Sequence, residues 1–134
     1  MKINYILLVD DNDIDNLVNK KVVEKNAFAG RIDIAKSVED AIKYLMSKAE
    51  SDKNSLPELI FLDIRMPEKD GFDFLEIFRN LDESIRNKCH IVMLSSSIDP
   101  EDYRRAKDNP YVVEFINKPL TSKALQRLED LNLN

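Results

Sequence analysis

The sequence predicts an α/β protein in which five parallel strands form one sheet and helices cover both of its faces. Short apolar runs bounded by polar residues recur five times, as expected for buried strands. Each run is followed by a segment with apolar residues at helical spacing. A length of 134 residues fits one compact domain built from such alternating elements.

The first predicted strand covers residues 2–9 and ends at an acidic pair, Asp10 and Asp11. A helix follows, and we expect Asp13 to be its N-cap because Asp side chains accept hydrogen bonds from free backbone N–H groups. The apolar residues of this helix recur at helical spacing: Ile14, Leu17, Val18 and Val22. The helix is therefore predicted to start beside the acidic pair.

The second predicted strand, residues 31–35, alternates polar and apolar side chains, which suits the edge of a sheet. Ser37 resembles the N-cap of the next helix, because Asp40 follows three residues later. That helix has an unbroken apolar stripe formed by Val38, Ala41, Ile42, Leu45, Met46 and Ala49. It is the clearest helix in the sequence.

The third predicted strand, residues 59–62, has four consecutive apolar residues, as strands buried on both faces do. It ends at Asp63, and Pro67 and Gly71 then break the chain into a loop before a third helix. We therefore expect Asp63 at the carboxyl end of a central strand, where α/β proteins place their reaction sites.

The last two predicted strands, residues 90–94 and 112–116, end at Ser95 and near Lys118. The fourth helix, residues 99–108, lies between these strands and has a thin apolar stripe. We expect Asp99 to be its N-cap and Thr121 to cap the last helix. Five strands, five helices and right-handed crossovers favour the flavodoxin-like strand order 2-1-3-4-5. We see one domain over residues 1–134.

Composition excludes several classes of protein. The net charge is −5 and no basic run is present, so the electrostatic footprint of a nucleic-acid-binding protein is missing. The longest apolar runs are too short to span a membrane, and the N-terminal residues lack an apolar stretch as long as that of a signal peptide. The single cysteine, Cys89, cannot form an internal disulfide, which favours a cytoplasmic location.

The strand ends are expected to bring five polar side chains to one edge of the sheet, namely Asp10, Asp11, Asp63, Ser95 and Lys118. Three carboxylates and one ammonium carry a formal charge of −2, which calls for a divalent cation. Oxygen ligands favour Mg²⁺. With the metal and Lys118 neutralising charge and Ser95 donating a hydrogen bond, the Asp63 carboxylate is equipped to attack phosphorus.

These residues resemble the receiver domain of two-component response regulators over essentially the whole chain. The resemblance implies that Asp63 is the phosphoacceptor and that Asp11, Asp63 and the backbone carbonyl of Arg65 bind Mg²⁺, with Asp10 acting mainly through water. Ser95 corresponds to the family's Thr or Ser, and Lys118 to the lysine of its Lys-Pro pair. The bond between Lys118 and Pro119 is expected to be cis.

The resemblance also implies switch and modulating residues. Phe115 falls at the aromatic switch position, although by pattern alone it fits a core position equally well. Ser95 is expected to move toward the phosphoryl group and Phe115 to fill the space left behind. Arg65 and Ser97 flank the path of the attacking water and are expected to influence the lifetime of the phosphoryl group.

The implied function is a phosphoacceptor switch that receives its phosphoryl group from a sensor histidine kinase or a histidine phosphotransfer protein. It would catalyse only its own phosphorylation and dephosphorylation, and few residues follow the last helix, which suggests a stand-alone receiver. A downstream protein would bind the fourth helix, fifth strand and last helix, a surface that could also form a phosphorylation-dependent homodimer. Two alternatives stay open: a Mg²⁺-dependent phosphatase with an Asp nucleophile, and an adaptor that needs no phosphorylation.

Overall fold

The computed structural model describes residues 3–96 and 99–131 and contains one sheet of five parallel strands. The strands are β1 (Ile3–Val9), β2 (Ala29–Ala35), β3 (Leu59–Asp63), β4 (His90–Ser95) and β5 (Val112–Asn117). Their order across the sheet is 2-1-3-4-5, which confirms the predicted topology. β1 and β3 are therefore neighbours, with Leu8 paired to Phe61 at the centre of the sheet.

Six α-helices occur among the described residues, one more than the sequence predicts. They are α1 (Asp13–Lys25), α2 (Val38–Ser51), α3 (Gly71–Phe78), α4 (Glu83–Lys88), α5 (Pro100–Asp108) and α6 (Ser122–Asp130). The additional helix is α4, which buries only Ile85 and so has no apolar periodicity to reveal it. Within residues 3–96 and 99–131, no helix has the length and apolar character needed to cross a bilayer.

The helix N-caps follow the predictions at three of four positions. Ser37, Asp99 and Thr121 each accept a hydrogen bond from a backbone N–H of the helix that follows them. The prediction for α1 is wrong, because Asn12 is the N-cap and its side chain accepts a hydrogen bond from the Asp15 N–H at 2.9 Å. Asn and Asp cap helices about equally well, so residue preference alone does not distinguish the two positions.

Two apolar cores cover the two faces of the sheet. Helices α2, α3, α4 and α5 contribute to one core, around residues such as Leu45 and Phe74. Helices α1 and α6 contribute to the other, around residues such as Val23 and Leu128. All five residues of β3 are buried between the two cores, so Asp63 ends the most enclosed strand of the sheet.

Helices α1 and α2 bury different kinds of side chain. The buried residues of α2 are Val38, Ala41 and Leu45, which belong to its predicted apolar stripe. The buried residues of α1 are Asn16, Asn19 and Val23. Three of the four apolar residues that predict α1 are exposed instead: Ile14 by 72%, Leu17 by 54% and Val18 by 39%. Apolar spacing therefore predicts the helix α1 correctly but not the face that packs on the sheet.

Candidate functional site

Polar side chains from four strands meet at the carboxyl edge of the sheet. Asp63 and Ser95 are the last residues of β3 and β4, whereas Asp10 and Lys118 directly follow β1 and β5. Asp10, Asp63 and Ser95 are buried, and the side chain of Lys118 is only 8% exposed. The fold thus places these four side chains at one largely enclosed site, as expected from parallel strands.

Three carboxylates form an acidic cluster within this site. One carboxylate oxygen from each of Asp10, Asp11 and Asp63 lies within 4.8 Å of the other two. Asp10 and Asp63 are buried, whereas Asp11 is exposed and leaves room for solvent. An oxygen-only donor set with access for water fits Mg²⁺, which usually keeps several of its water ligands. These three residues would hold the ion.

The ammonium of Lys118 contacts three carboxylates. Its Nζ lies 2.8 Å from Asp10 Oδ2, 2.8 Å from Asp15 Oδ2 and 3.0 Å from Asp63 Oδ1. Burial alone would lower the pKa of Lys118, but hydrogen bonds to Asp10, Asp15 and Asp63 together raise this pKa above its usual range. Lys118 is therefore held as a cation beside Asp63.

The pKa of Asp63 is shifted upward, whereas the pKa of most carboxyl groups in ion pairs is shifted downward. Burial and the neighbouring charge of Asp10 raise the pKa of Asp63 to about 6, although Lys118 acts to lower this pKa. A divalent cation bound to the same carboxylate would favour its ionised form. The site therefore has an excess of negative charge that one ammonium does not balance.

Local contacts hold the carboxylate of Asp10 and the backbone of Asp63. Asp10 Oδ1 accepts a hydrogen bond from the Asn12 N–H at 2.9 Å, and its backbone oxygen accepts one from Asn16 Nδ2 at 2.9 Å. In the loop after β3, the Gly71 N–H donates to the Ile64 oxygen at 2.8 Å. A Cβ at position 71 would lie 2.8 Å from the Asp63 carbonyl oxygen, so a side chain there would displace the backbone of Asp63.

The model of the response regulator receiver domain family matches residues 6–128. The chain belongs to this family. The structure of a two-component response regulator from Cytophaga hutchinsonii is 32% identical, with a TM-score of 0.90 and coverage of 98% of this chain and 99% of that chain. Receiver domains act as signalling switches rather than as enzymes in the usual sense, and they typically bind Mg²⁺ at an acidic pocket.

Two curated relatives of this receiver domain differ in length. The probable methanogenesis regulatory protein FilR2 of Methanothrix harundinacea is 34% identical over 91% of this chain and 76% of its own length. An uncharacterized response regulatory protein of Staphylococcus epidermidis is 36% identical over 56% of this chain. The matched stretch is only 27% of the length of that relative.

In this receiver domain, the ends of β4 and β5 are tied together at the site. The backbone oxygen of Ser95 accepts a hydrogen bond from the Lys118 N–H at 2.7 Å. The bond between Lys118 and Pro119 is cis, which confirms the prediction from the family resemblance. Ser97 lies outside the described residues, so its influence on the phosphoryl group stays a prediction.

The side chain of Arg65 connects the loop after β3 of the receiver domain to α5. Its guanidinium forms an ion pair with Asp102, whose carboxylate is 5% exposed, and lies 3.7 Å from Asp99 Oδ2. Arg65 is thus engaged by the start of α5, and its expected effect on the phosphoryl lifetime and the metal-binding role of its carbonyl stay predictions. Asp102 has no distinguishing sequence signal, because acidic residues are common in the first turn of a helix.

Phe115 lies on β5 of the receiver domain, on the side that faces α5. Its half-buried ring packs edge to face against Tyr103, with 5.4 Å between ring centroids and an interplanar angle of 83°. The two rings border a groove of about 630 Å³ that also contacts residues of α6, including Ala124. The helix, strand and last helix expected to transmit the signal therefore meet at one surface.

Asp15 is a site residue that our sequence reasoning missed. It lies on the first turn of α1, four residues after Asp11, and its carboxylate reaches Lys118. The sequence carries no distinguishing signal for this role, because acidic residues are common in the first turn of a helix and Lys118 lies far along the chain.

Proposed function

We propose that this receiver domain, acting as one unit over residues 1–134, is a phosphoacceptor switch of a two-component phosphorelay. Asp63 would take a phosphoryl group from a phosphohistidine on a sensor histidine kinase or a histidine phosphotransfer protein. The observation that supports this proposal is the buried carboxylate of Asp63 beside Lys118 and the acidic cluster. The domain would catalyse only its own phosphorylation and dephosphorylation.

In the proposed reaction, an oxygen of Asp63 attacks phosphorus and the bond from phosphorus to the histidine nitrogen breaks. The electron pair of that bond stays on the imidazole, and Asp63 becomes an acyl phosphate. Lys118 donates hydrogen bonds to the transferring oxygens, and Ser95 donates a further one. Asp11, Asp63 and the Arg65 carbonyl would hold Mg²⁺, with Asp10 acting mainly through water, and the bound ion would neutralise phosphoryl charge.

The partner that carries phosphohistidine would bind along α1. This helix starts beside Asp11 and exposes Ile14, Leu17 and Val18 on its outer face. Contiguous exposed apolar residues next to a reaction site are typical of a protein-binding surface. A partner that buries this face would bring its phosphohistidine to Asp63. We place this exchange in the cytoplasm, where histidine kinases use ATP.

The signal would leave through α5, β5 and α6. Phosphorylation replaces one negative charge on Asp63 by about two and adds oxygens that attract Ser95. Movement of Ser95 would open space for Phe115 to turn inward, away from Tyr103. The new charge would also compete with Asp102 for Arg65, which would loosen the start of α5. A downstream protein or a second phosphorylated copy would bind the altered surface; nucleic acid and membrane are not proposed partners.

Neither alternative function is favoured by a specific contact. A phosphatase of the aspartate-nucleophile type needs a second acid two residues after the nucleophile, and that position is Arg65, whose guanidinium pairs with Asp102. An adaptor that needs no phosphorylation would not require the oxygens of Asp10, Asp11 and Asp63 to cluster. Turnover of p-nitrophenyl phosphate by the purified protein would reveal a phosphatase.

The mass of the intact protein after incubation with acetyl phosphate and Mg²⁺ tests the proposal. Wild type should gain the mass of one phosphate, whereas D63N and a Mg²⁺-free sample should gain none. D70N is the matched control, because Asp70 lies in the same loop but caps α3 and should leave phosphorylation intact. Phosphate on the D63N protein would contradict the assignment of Asp63.

Metal titration tests the ligand roles separately. By the family resemblance, D11A should weaken Mg²⁺ binding more than D10A, because Asp11 would bind the metal directly and Asp10 mainly through water. Equal losses in the two variants would contradict this distinction.

A further inference from the structure

We infer that Asp15 is a positioning residue that holds the ammonium of Lys118 at the phosphoacceptor. The inference rests on the proposed phosphoryl transfer to Asp63. Asp15 Oδ2 lies 2.8 Å from Lys118 Nζ, as close as the oxygen of Asp10 and closer than that of Asp63. Asp15 would keep Lys118 in place while the hydrogen bond to Asp63 is exchanged for one to the phosphoryl group.

The number of donors on Lys118 supports this role. A lysine ammonium has three N–H groups, and three carboxylates accept from it here. Asp10 and Asp63 also belong to the acidic cluster that would bind Mg²⁺, whereas Asp15 does not. If Asp10 and Asp63 interact with the metal, Asp15 is the carboxylate of the three that still accepts a hydrogen bond from Lys118 without also serving the metal.

A second contact joins the same two segments, helix α1 and the loop after β5. Asn19, one turn after Asp15 on α1, is 2% exposed, and its Oδ1 accepts a hydrogen bond from the Leu120 N–H at 3.1 Å. Leu120 follows Lys118 by two residues, so this bond docks α1 directly on the loop that carries the ammonium. The side chain of Asp15 is 37% exposed and so stays partly hydrated.

Asp13 provides a matched control on the same helix. It lies two residues before Asp15, its side chain is 72% exposed, and its carboxylate pairs with Lys36. The variants D13A and D15A therefore remove the same charge from the same helix turn, but only D15A removes an acceptor from Lys118. A general electrostatic effect of α1 on the site would appear in both variants.

The experiment measures phosphorylation by saturating acetyl phosphate with Mg²⁺ and, separately, the NMR signal of the Lys118 ammonium. We expect D15A to lower the phosphorylation rate constant roughly tenfold, because a freed ammonium is positioned less well. D15N should recover most of this loss, since its amide oxygen still accepts a hydrogen bond. The ammonium signal should be visible in wild type, D13A and D15N and broadened by exchange with water in D15A.

Three outcomes would overturn the inference. Equal losses in D15A and D15N would assign the effect to charge rather than to position, and an equal loss in D13A would do the same. An unchanged rate and an unchanged ammonium signal in D15A would show that Lys118 does not need Asp15. Thermal unfolding of each variant checks the fold. If wild type gains no phosphate, the proposed function fails, but the ammonium signal still tests whether Asp15 holds Lys118.

Discussion

Helices α1 and α2 follow neighbouring strands of the sheet, and both have apolar residues at helical spacing. They nevertheless bury different kinds of side chain against the rest of the domain. α2 packs its apolar residues into the core, whereas α1 packs Asn16 and Asn19 inward and leaves Ile14 and Leu17 outside. The inward face of α1 must hold the loops that carry Asp10 and Lys118, and asparagine amides can bond to their backbone. The apolar stripe of α1 therefore indicates a helix correctly, but beside the candidate site it does not indicate which residues enter the core.

The largest expected difference between the helices is in stability. Leu45 is fully buried on α2, so L45A should lower the free energy of unfolding by about 2–5 kcal/mol. L17A on the exposed face of α1 should change it by less than about 0.5 kcal/mol, but should slow phosphotransfer from the partner protein. Urea unfolding and a phosphotransfer assay measure the two effects. A large loss of stability in L17A would contradict the conclusion that this apolar face of α1, unlike that of α2, lies outside the core.

Removing a buried amide of α1 should also be costly. N19A would leave the Leu120 N–H buried without its acceptor, which we expect to lower the free energy of unfolding by about 1–3 kcal/mol. N26A is the control, because Asn26 lies at the exposed end of α1 and its side chain donates to the Val22 oxygen of the same helix. Urea unfolding of both variants decides the matter, and equal losses would show that α1 is not held by its buried amides.

The ionised carboxylate of Asp63, beside α1, should lower the free energy of unfolding rather than raise it. Because folding raises the pKa of Asp63 from 3.8 to about 6, the carboxyl group stabilises the fold below pH 4, and this contribution is lost as the pH rises through about 6. D63N should therefore be more stable than wild type at pH 7, by on the order of 1–2 kcal/mol of the roughly 3 kcal/mol that the shift represents.

The gain in D63N should shrink toward pH 4 and should be smaller when Mg²⁺ is present, since the ion stabilises only the wild-type carboxylate. Unfolding curves at several pH values, with and without Mg²⁺, test both statements. A gain that is the same at every pH would show that charge at Asp63 is not its cause.

The smallest effect concerns a polar contact of α2. Burial raises the pKa of Tyr44 to about 12, and its hydroxyl donates a hydrogen bond to Asp33. Tyr44 thus stabilises the fold below pH 10, and this contribution is lost as the pH rises from 10 through about 12. The free energy of unfolding of Y44F should be about 1 kcal/mol lower than that of wild type at neutral pH. Above pH 10, the stability of Y44F should fall less steeply with pH than that of wild type. Parallel slopes for both proteins would contradict this.

Most of the fold and the centre of the site could be predicted from the sequence, because each depends on a local signal. Consecutive apolar residues indicate β3, and the polar residues that end the strands indicate Asp10, Asp63, Ser95 and Lys118. What could not be predicted depends on contacts between distant segments. No local sequence pattern predicts that Arg65 forms an ion pair with Asp102, or that the asparagines of α1 are buried.

Two smaller errors also have physical causes. Helix α4 is short and buries one side chain, so it lacks the repeated spacing by which a helix is detected. The predicted N-cap of α1 lies one residue too late because Asn12 and Asp13 are both good capping residues.

The surroundings of Lys118 have a consequence for chemical labelling. Amine-reactive reagents modify the neutral form of lysine, and Lys118 is shielded from solvent and held in its charged form. It should therefore be acylated far more slowly than exposed lysines such as Lys43. Peptide mass mapping would give the rate at which Lys118 is modified. This rate, measured with and without Mg²⁺, would then report how well the site shields Lys118 from solvent.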